Sequence, residues 1–207
     1  MSNINFNMSG VDWEIYEPRM GVNVGLVAEY MFNRSIGVQS ELNYYYSGAN
    51  INIAKYTQGL EIPEGLQQEG YLDMHTFQLP VYFKAKFPIP TNAKLYLMGG
   101  GFAAFSPSAY QRIRQGYEGE SMKFRWSLFE NKIIVLDNEE SNVYMQQRWN
   151  VGLAAEAGIE LNNGVTVGMG FRQVLNNMSA FGYIVEGGSI KPTIKMWTAS
   201  LSVGYFF

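Results

Sequence analysis

His75 is the only histidine in the 207-residue sequence and the one side chain suited to general-base chemistry near neutral pH. Ser106 and Ser108 fall at a comparable level on the next predicted strand. A histidine and a serine at a membrane surface would suit lipid hydrolysis or acyl transfer. Such catalysis also needs a third group that orients the histidine, and the sequence identifies none. We therefore favour a structural role for His75 at the membrane interface.

Two other groups of residues suggest binding sites, and neither has the required spacing. Asp137, Glu139 and Glu140 offer the oxygen ligands that Ca²⁺ or Mg²⁺ prefers, but they lack EF-hand spacing, which favours a solvated loop tip. The glycines at 99–101 lack the lysine and the helix of a phosphate-binding loop. With no cysteine, disulfides, thiol catalysis and cysteine-based metal sites are excluded. We expect no metal and no cofactor.

The overall composition argues against a nucleic-acid partner and against an ordinary water-facing surface. Charged residues make up 16% of the chain, below the roughly 25% that is usual for soluble domains. Aromatic residues reach 15%, and the net charge of −3 comes without a dense basic patch. No run of 18 apolar residues could form a transmembrane helix.

The elements that must position these residues are β-strands, because bulky apolar and small polar side chains alternate along the chain. Eight segments show this period of two: 3–9, 22–32, 36–46, 77–87, 94–105, 149–161, 165–172 and 197–207. In the last segment, Trp197, Leu201 and Tyr205 share one face, and small polar residues such as Ser200 and Ser202 share the other. We predict one all-β domain over residues 1–207.

The connections between the segments alternate between short and long. Residues 33–34, 88–92 and 162–164 are tight turns of turn-forming residues, whereas 10–19, 47–70, 106–142 and 176–193 are long and polar. In an up-and-down barrel, odd and even connections emerge at opposite rims. The sequence therefore predicts an eight-stranded antiparallel up-and-down transmembrane β-barrel, with short periplasmic turns and long extracellular loops.

The bulky face of each strand is predicted to meet lipid, and the small polar face to line a narrow lumen. Trp197 and Tyr205 are eight residues apart, roughly 26 Å at about 3.3 Å per residue, or roughly 20 Å along the membrane normal with a tilt of about 40°. Aromatic residues at both rims would form girdles. Trp149 and Trp197 mark the loop side, and the turn side carries Tyr30, Phe32, Phe87, Tyr205 and Phe207.

With eight strands, side chains just fill the lumen, which argues against a diffusion pore. The charged residues on the polar face would form an ion-pair network there: Glu29, Glu41, Lys84, Lys86, Glu156 and Arg172. Across the 162–164 turn, Arg172 falls nearly opposite Ala154 and diagonal to Glu156. We favour a structural network, and a proton or ion path through these residues is the alternative.

Four stretches carry a resemblance to known proteins: Phe77-Gln78-Leu79-Pro80-Val81-Tyr82-Phe83-Lys84, Leu97-Met98-Gly99-Gly100-Gly101, the segment from Val151 to Gly158, and Gly204-Tyr205-Phe206-Phe207. With them, the chain resembles the small outer-membrane β-barrel family of OmpX-like and PorT-like proteins. The resemblance implies a bacterial outer-membrane location, with the bilayer and lipopolysaccharide as surroundings. It also implies that the barrel-insertion machinery reads the C-terminal strand. Because the first residues lack the features of a signal peptide, we expect the signal to have been removed and Met1 to stand in its place.

Family members do varied work, so the fold leaves several functions open. We favour a non-enzymatic barrel whose loops serve envelope integrity, adhesion or partner binding. A protein partner would meet residues of the interface-forming types Tyr, Trp and Arg in the longest loop: Tyr110, Arg112, Tyr117, Arg125 and Trp126. The alternatives are a lipid-modifying enzyme acting at His75, a narrow channel or transport component, and a soluble ligand-binding barrel.

Overall fold

The structure is a computed structural model that describes residues 1–8, 11–13, 16–52, 67–90, 92–117, 120–129, 132–136, 139–143, 147–179, 183–185, 188–190 and 193–207. Within these ranges every regular element is a β-strand, so the predicted all-β class is confirmed. None of the described residues forms a helix long and apolar enough to cross a membrane.

The described strands are numbered in chain order. They are β1 (Ser2–Met8), β2 (Val11–Trp13), β3 (Tyr16–Pro18), β4 (Val22–Met31), β5 (Ile36–Ile51), β6 (Gln67–Ile89), β7 (Ala93–Tyr117), β8 (Glu120–Ser127), β9 (Lys132–Leu136), β10 (Glu139–Val143), β11 (Trp149–Leu161), β12 (Val165–Val174), β13 (Tyr183–Val185), β14 (Gly188–Ile190) and β15 (Thr193–Tyr205). With 23 and 25 residues, β6 and β7 are about twice as long as a membrane span requires.

Eleven of these strands form one antiparallel sheet. Its order is β2-β1-β15-β12-β11-β7-β6-β5-β3, with β4 also paired to β5 and β8 also paired to β7. Consecutive long strands are neighbours, as in an up-and-down barrel. The remaining described strands form two small separate hairpins, β9–β10 and β13–β14.

The strand count and the closure differ from the prediction. Eight strands correspond to the predicted segments, and β2, β3 and β8 bring the sheet to eleven, because parts of the predicted loops 10–19 and 106–142 pair with the wall. The first and last residues of the predicted loop 47–70 belong to β5 and β6 instead. The predicted loop 176–193 contains β13 and β14. The described sheet is open, since β4 and β15 are not paired with each other.

Short turns connect the long strands at one rim, as predicted. Asn33 closes the first, because its Oδ1 accepts hydrogen bonds from the backbone nitrogens of Ser35 and Ile36, each at 2.8 Å. In the turn at 162–164, Gly164 has a φ of 88°, a conformation that glycine adopts without steric cost. The described strand ends that border the long connections lie at the other rim.

Bulky apolar side chains form a band around the outside of the wall. Leu79, Val81 and Leu153 are 52%, 55% and 57% exposed, while the alternate residues Tyr82 and Ala154 are buried inside. Successive residues of a strand face opposite sides, so this orientation is shared along each strand. An outer face of this composition suits hydrocarbon.

On the loop side of Trp197 the two faces of the wall exchange their polarity. Ile4, Ile194 and Met196 are buried inside the wall, whereas Asn5 and Lys195 are exposed outside it. The prediction that the bulky face of the first strand meets lipid is therefore wrong. This part of the wall extends beyond the apolar band into water, where apolar side chains are stable only inside.

Candidate functional site

Glu29 lies at the centre of a charge cluster inside the wall, near the short turns. Its carboxylate oxygens are 2.6 Å from Nζ of Lys84 and 2.5 Å from Nζ of Lys86. Nζ of Lys86 also lies 2.6 Å from Oε2 of Glu160, and Nζ of Lys84 donates a hydrogen bond of 2.7 Å to Oε1 of Gln39. Both lysines are buried, and burial of a charge is tolerated when it is paired and hydrogen-bonded in this way.

Arg172 lies at the centre of a second cluster, farther from the turns. Its guanidinium donates to the hydroxyl of Tyr82 at 3.3 Å and lies 3.8 Å from the carboxylate of Glu41. That carboxylate is held in place by the side-chain amides of Gln39 and Asn43, each at 2.7 Å. The amides fix a negative charge opposite the buried arginine.

Glu156 takes a different place in the lumen from the one that its register suggests. Ala154 is the register partner of Arg172, so Glu156 is diagonal to the arginine as expected from the tight turn. Its carboxylate, however, accepts hydrogen bonds from Tyr96 at 2.8 Å and from Ser202 at 3.1 Å. The carboxylate that Arg172 approaches is that of Glu41, which belongs to a distant strand.

Above the two clusters the interior becomes apolar. The buried residues of this cap include Ile4, Leu72, Met74, Leu128, Phe129, Met178, Ile194 and Met196. Between the cap and Arg172 lies a cavity of about 50 Å³ bordered by Tyr45, Gln78 and Asn150. This volume suits a few water molecules and is too small for most solutes.

Asp73 is the centre of a charged cluster on the outer face of the wall, above the apolar band. It is bound by Arg112, by Arg19 at 2.7 Å and by the hydroxyl of Tyr46 at 2.7 Å. Burial alone would raise the pKa of Asp73. The hydrogen bonds from Tyr46 and Arg19 and the charges of Arg112 and Arg19 outweigh that effect, so the pKa lies below its ordinary value.

Replacing Asp73 with asparagine is expected to lower the free energy of unfolding by about 1–3 kcal/mol at pH 7, because charge-assisted hydrogen bonds are lost. The pKa of this carboxylate is lower in the folded state than in the unfolded state, where it is about 4, so the carboxylate stabilises the fold above about pH 4. This contribution is lost as the pH falls from there through the pKa of the folded state. The unaltered protein should therefore lose more stability than the variant on acidification below about pH 4. Urea unfolding in detergent micelles across this range is the measurement.

Glu17→Gln is the matched control for Asp73→Asn, since Glu17 is an exposed carboxylate on neighbouring β3. It should change the free energy of unfolding by less than about 0.5 kcal/mol at any pH. Identical acid profiles for Asp73→Asn and the unaltered protein would show that the cluster adds no stability.

His75 lies on the outer face of β6, between the rings of Tyr44 and Tyr46. Its Nδ1 is 2.6 Å from the hydroxyl of Tyr44. Ser108 is its register partner on β7, whereas Ser106 is buried on the inner face, where it meets Thr76 at 2.9 Å. The wall therefore separates His75 from Ser106, and the imidazole is part of an aromatic cluster.

The predicted girdle residues lie at both edges of the apolar band. Trp149 is exposed and packs on Phe105 with 4.9 Å between ring centroids, and Trp197 is half-buried, with 6.3 Å between its ring and that of Phe171. At the turn side, the ring centroids of Tyr30 and Phe32 are 5.5 Å apart, and those of Tyr205 and Phe207 are 5.1 Å apart. Phe87 is exposed at the same rim.

The predicted loop interface is divided between the two faces of the wall. Arg112 and Arg125 are register partners on the outer face, and Arg125 lies 3.8 Å from the ring centroid of Tyr110. Trp126, in contrast, packs against the apolar cap, because neighbouring residues of β8 alternate between faces. Tyr117 is paired with Glu120 in the backbone register.

No group of three or more histidine, cysteine, aspartate or glutamate side chains within the described ranges could hold a metal ion. Of the carboxylates considered as cation ligands, Asp137 lies outside the described residues. Glu139 and Glu140 are described only as part of the β10 backbone.

The predicted ion-pair network lacked several residues of these clusters. The alternation places Glu160, Tyr82 and Gln39 on the polar face that lines the lumen, but they were not part of that network. The pairing of Asp73 with Arg19 had no such signal, because the two residues are 54 positions apart and Arg19 was expected in a loop.

The family model for the outer membrane protein beta-barrel domain matches residues 1–180. The chain belongs to this family. The resemblance noted above is therefore confirmed, and the protein is a transmembrane β-barrel of the bacterial outer membrane.

Among solved structures, this outer-membrane barrel is similar to the crystal structure of Ail, the attachment invasion locus protein of Yersinia pestis. The sequences are 15% identical, the TM-score is 0.29, and the match covers 100% of this chain and 93% of the Ail chain. Comparison with curated protein sequences finds no match.

Proposed function

We propose that this outer-membrane barrel is non-enzymatic, and that its extracellular wall binds lipopolysaccharide and so supports envelope integrity. The observation that carries the proposal is the filled interior: two paired charge clusters lie under an apolar cap. A lumen that is filled in this way stabilises the wall, so the outer face is the surface that is available for binding.

The interior argues against a channel, and the surroundings of His75 on the outer face argue against an enzyme. A conducting pore needs a continuous polar path, and buried side chains such as Leu72, Met74 and Met178 lie across the lumen above Arg172. Catalysis at His75 would need a nucleophile and an orienting group, and Nδ1 of the imidazole is engaged by Tyr44. The side chains are arranged for packing and charge pairing.

A group of basic residues on the outer face of β7 and β8 is the proposed lipopolysaccharide-binding surface. Arg112 is paired in register with Arg125, and Arg114 with Lys123. Like charges directly opposite each other destabilise a sheet unless an anion compensates them. Asp73 is bound to Arg112, and Glu69 lies opposite Arg114 on β6, so Arg125 and Lys123 are the cations that an outside anion would compensate. The phosphates of lipopolysaccharide would supply such anions on the extracellular side of the outer leaflet.

Replacing Arg114 and Lys123 together with glutamine is expected to weaken binding to lipopolysaccharide by about 30-fold, since each charge near an anionic surface contributes about 1 kcal/mol. Binding of the barrel in detergent micelles to purified lipopolysaccharide, at fixed ionic strength, measures this. Lys195→Gln is the control, because Lys195 is an exposed cation on the opposite wall. Equal binding by the double variant and the control would contradict the proposed surface.

Two protein partners belong to the same proposal. The barrel-insertion machinery would read the terminal strand, where Tyr205 and Phe207 pack together at the turn rim. A protein partner in adhesion would contact the outer face at Tyr110 and Arg125, residue types that anchor interfaces. Crosslinking in native envelopes from a photoreactive residue at position 125 tests the second contact; recovery of lipopolysaccharide alone would rule it out.

A further inference from the structure

Three buried polar atoms inside the wall have no hydrogen-bond partner among the described residues. They are Oη of Tyr45, Oε1 of Gln78 and Nε of Arg172. The three residues are only 8%, 7% and 6% exposed, so bulk water does not reach them. A buried polar atom without a partner destabilises the fold, and three of them in one place require an explanation.

The same three residues border one cavity, which lies between Arg172 and the apolar cap and has a volume of about 50 Å³. We call this cavity the chamber. It forms because a small side chain lies between two longer ones: in the backbone register, Ala104 of β7 stands between Gln78 of β6 and Asn150 of β11. All three side chains are buried in the lumen, so the space beside the alanine is enclosed by the wall.

The walls of the chamber are largely polar, and apolar side chains close it on the loop side. The polar side chains that border it are those of Tyr45, Ser47, Thr76, Gln78, Ser106, Asn150, Arg172 and Thr198. The closing residues Met74, Met178 and Met196 belong to the apolar cap. A bound water molecule needs about 10–15 Å³ of such a cavity and two to four polar partners, so about three molecules fit.

Water suits the three unpartnered atoms better than an ion does. Nε of Arg172 can only donate a hydrogen bond, Oε1 of Gln78 can only accept one, and the hydroxyl of Tyr45 can do both. A water molecule can accept from the first and donate to the second. An anion would be repelled by Oε1 and by the carboxylate of Glu41, which lies 3.8 Å from the guanidinium, and a cation would be repelled by the guanidinium itself.

We propose that the chamber is a binding site for about three ordered water molecules, which join Arg172 to Gln78 and Tyr45. The direct hydrogen bonds of the guanidinium are long, 3.2 Å to Ser200 and 3.3 Å to Tyr82, and neither involves Nε. Bound water supplies the missing partner of Nε and extends the second charge cluster from β12 to β5 and β6. The site lies in the lumen and does not depend on lipopolysaccharide binding.

Tyr45→Phe tests the site, because a water-bound hydroxyl and an unpartnered one predict opposite effects. If water binds the hydroxyl, its removal should lower the equilibrium constant for folding about fivefold, the net contribution of one hydrogen bond. If the hydroxyl has no partner, its removal eliminates a buried polar group, and the constant should stay the same or rise. Urea unfolding in detergent micelles measures the constant.

Tyr96→Phe is the matched control for Tyr45→Phe. The hydroxyl of Tyr96 donates directly to Glu156 at 2.8 Å, so its removal should lower the folding constant whatever the chamber holds. A constant that falls for Tyr96→Phe but stays the same or rises for Tyr45→Phe would overturn the water site.

A crystal structure of the unaltered protein, from crystals grown with bromide in place of chloride, tests the site without a substitution. We expect electron density for water within hydrogen-bonding distance of Nε of Arg172 and Oε1 of Gln78. An anomalous bromide peak in the chamber would show a halide site instead, and a chamber without density would be dry; either result overturns the proposal. This structure decides the question even if Tyr45→Phe does not fold.

Discussion

Replacing Glu29 with glutamine is expected to lower the free energy of unfolding by about 3–5 kcal/mol, because two buried ammonium groups lose their shared carboxylate. The oxygens of Glu29 lie 2.6 Å from Lys84 and 2.5 Å from Lys86. Lys86 keeps Glu160, but the partners that remain for Lys84 are uncharged, namely the amide of Gln39 and the rings of Tyr96 and Phe206. Urea unfolding of the barrel in detergent micelles, followed by tryptophan fluorescence, measures the loss.

Lys94→Gln is the matched control for Glu29→Gln. Lys94 is 44% exposed and meets Glu160 at 3.5 Å, so its loss should cost less than about 0.5 kcal/mol. The double variant Glu29→Gln with Lys84→Met should recover part of the loss, since it removes the unpaired charge as well. Equal stability of Glu29→Gln and Lys94→Gln would show that the cluster is solvated rather than buried.

Replacing Leu153 with arginine is expected to destabilise the barrel by about 2–4 kcal/mol in phospholipid vesicles, the cost of a basic residue facing the bilayer midplane. Leu153 lies in the middle of β11 and points outward, between the two aromatic edges of the apolar band. In a water-soluble barrel, the same exposed position would accept arginine at little cost. Unfolding from vesicles at increasing urea concentration measures the difference.

Asn5→Arg is the control for Leu153→Arg, because Asn5 is also exposed but belongs to the wall above the apolar band. Its expected change is less than about 0.5 kcal/mol. If the two variants lose the same small amount of stability, the outer band does not contact hydrocarbon. The orientation of the strands would then be the reverse of the one described.

The alternation of side chains by itself determined the all-β fold, the eight main strands and the division of each strand into two unlike faces. This succeeded because a strand exposes alternate residues to opposite sides, so one face of each strand can be read from residue types alone. The turns at 33–34 and 162–164 were predicted for the same local reason, since asparagine and glycine suit tight turns. The family was likewise evident from strand motifs and the aromatic terminal residues.

The tertiary structure alone decided which charges meet in the lumen. Glu29 and Lys84 are 55 positions apart, and Arg172 approaches Glu41 rather than its sequence-near candidate Glu156. Such pairings depend on how the wall curves and how far each strand is staggered, and neither quantity is encoded in the period of one strand.

The tertiary structure also decided where the membrane ends. The same alternation continues through Ile4, Leu72 and Ile194, but there the apolar side chains turn inward. The period of the sequence shows that the two faces of a strand differ in polarity. Only the surrounding medium decides which of the two faces is buried. Hydrocarbon takes the apolar face outward in the lower wall, and water drives it inward in the upper wall.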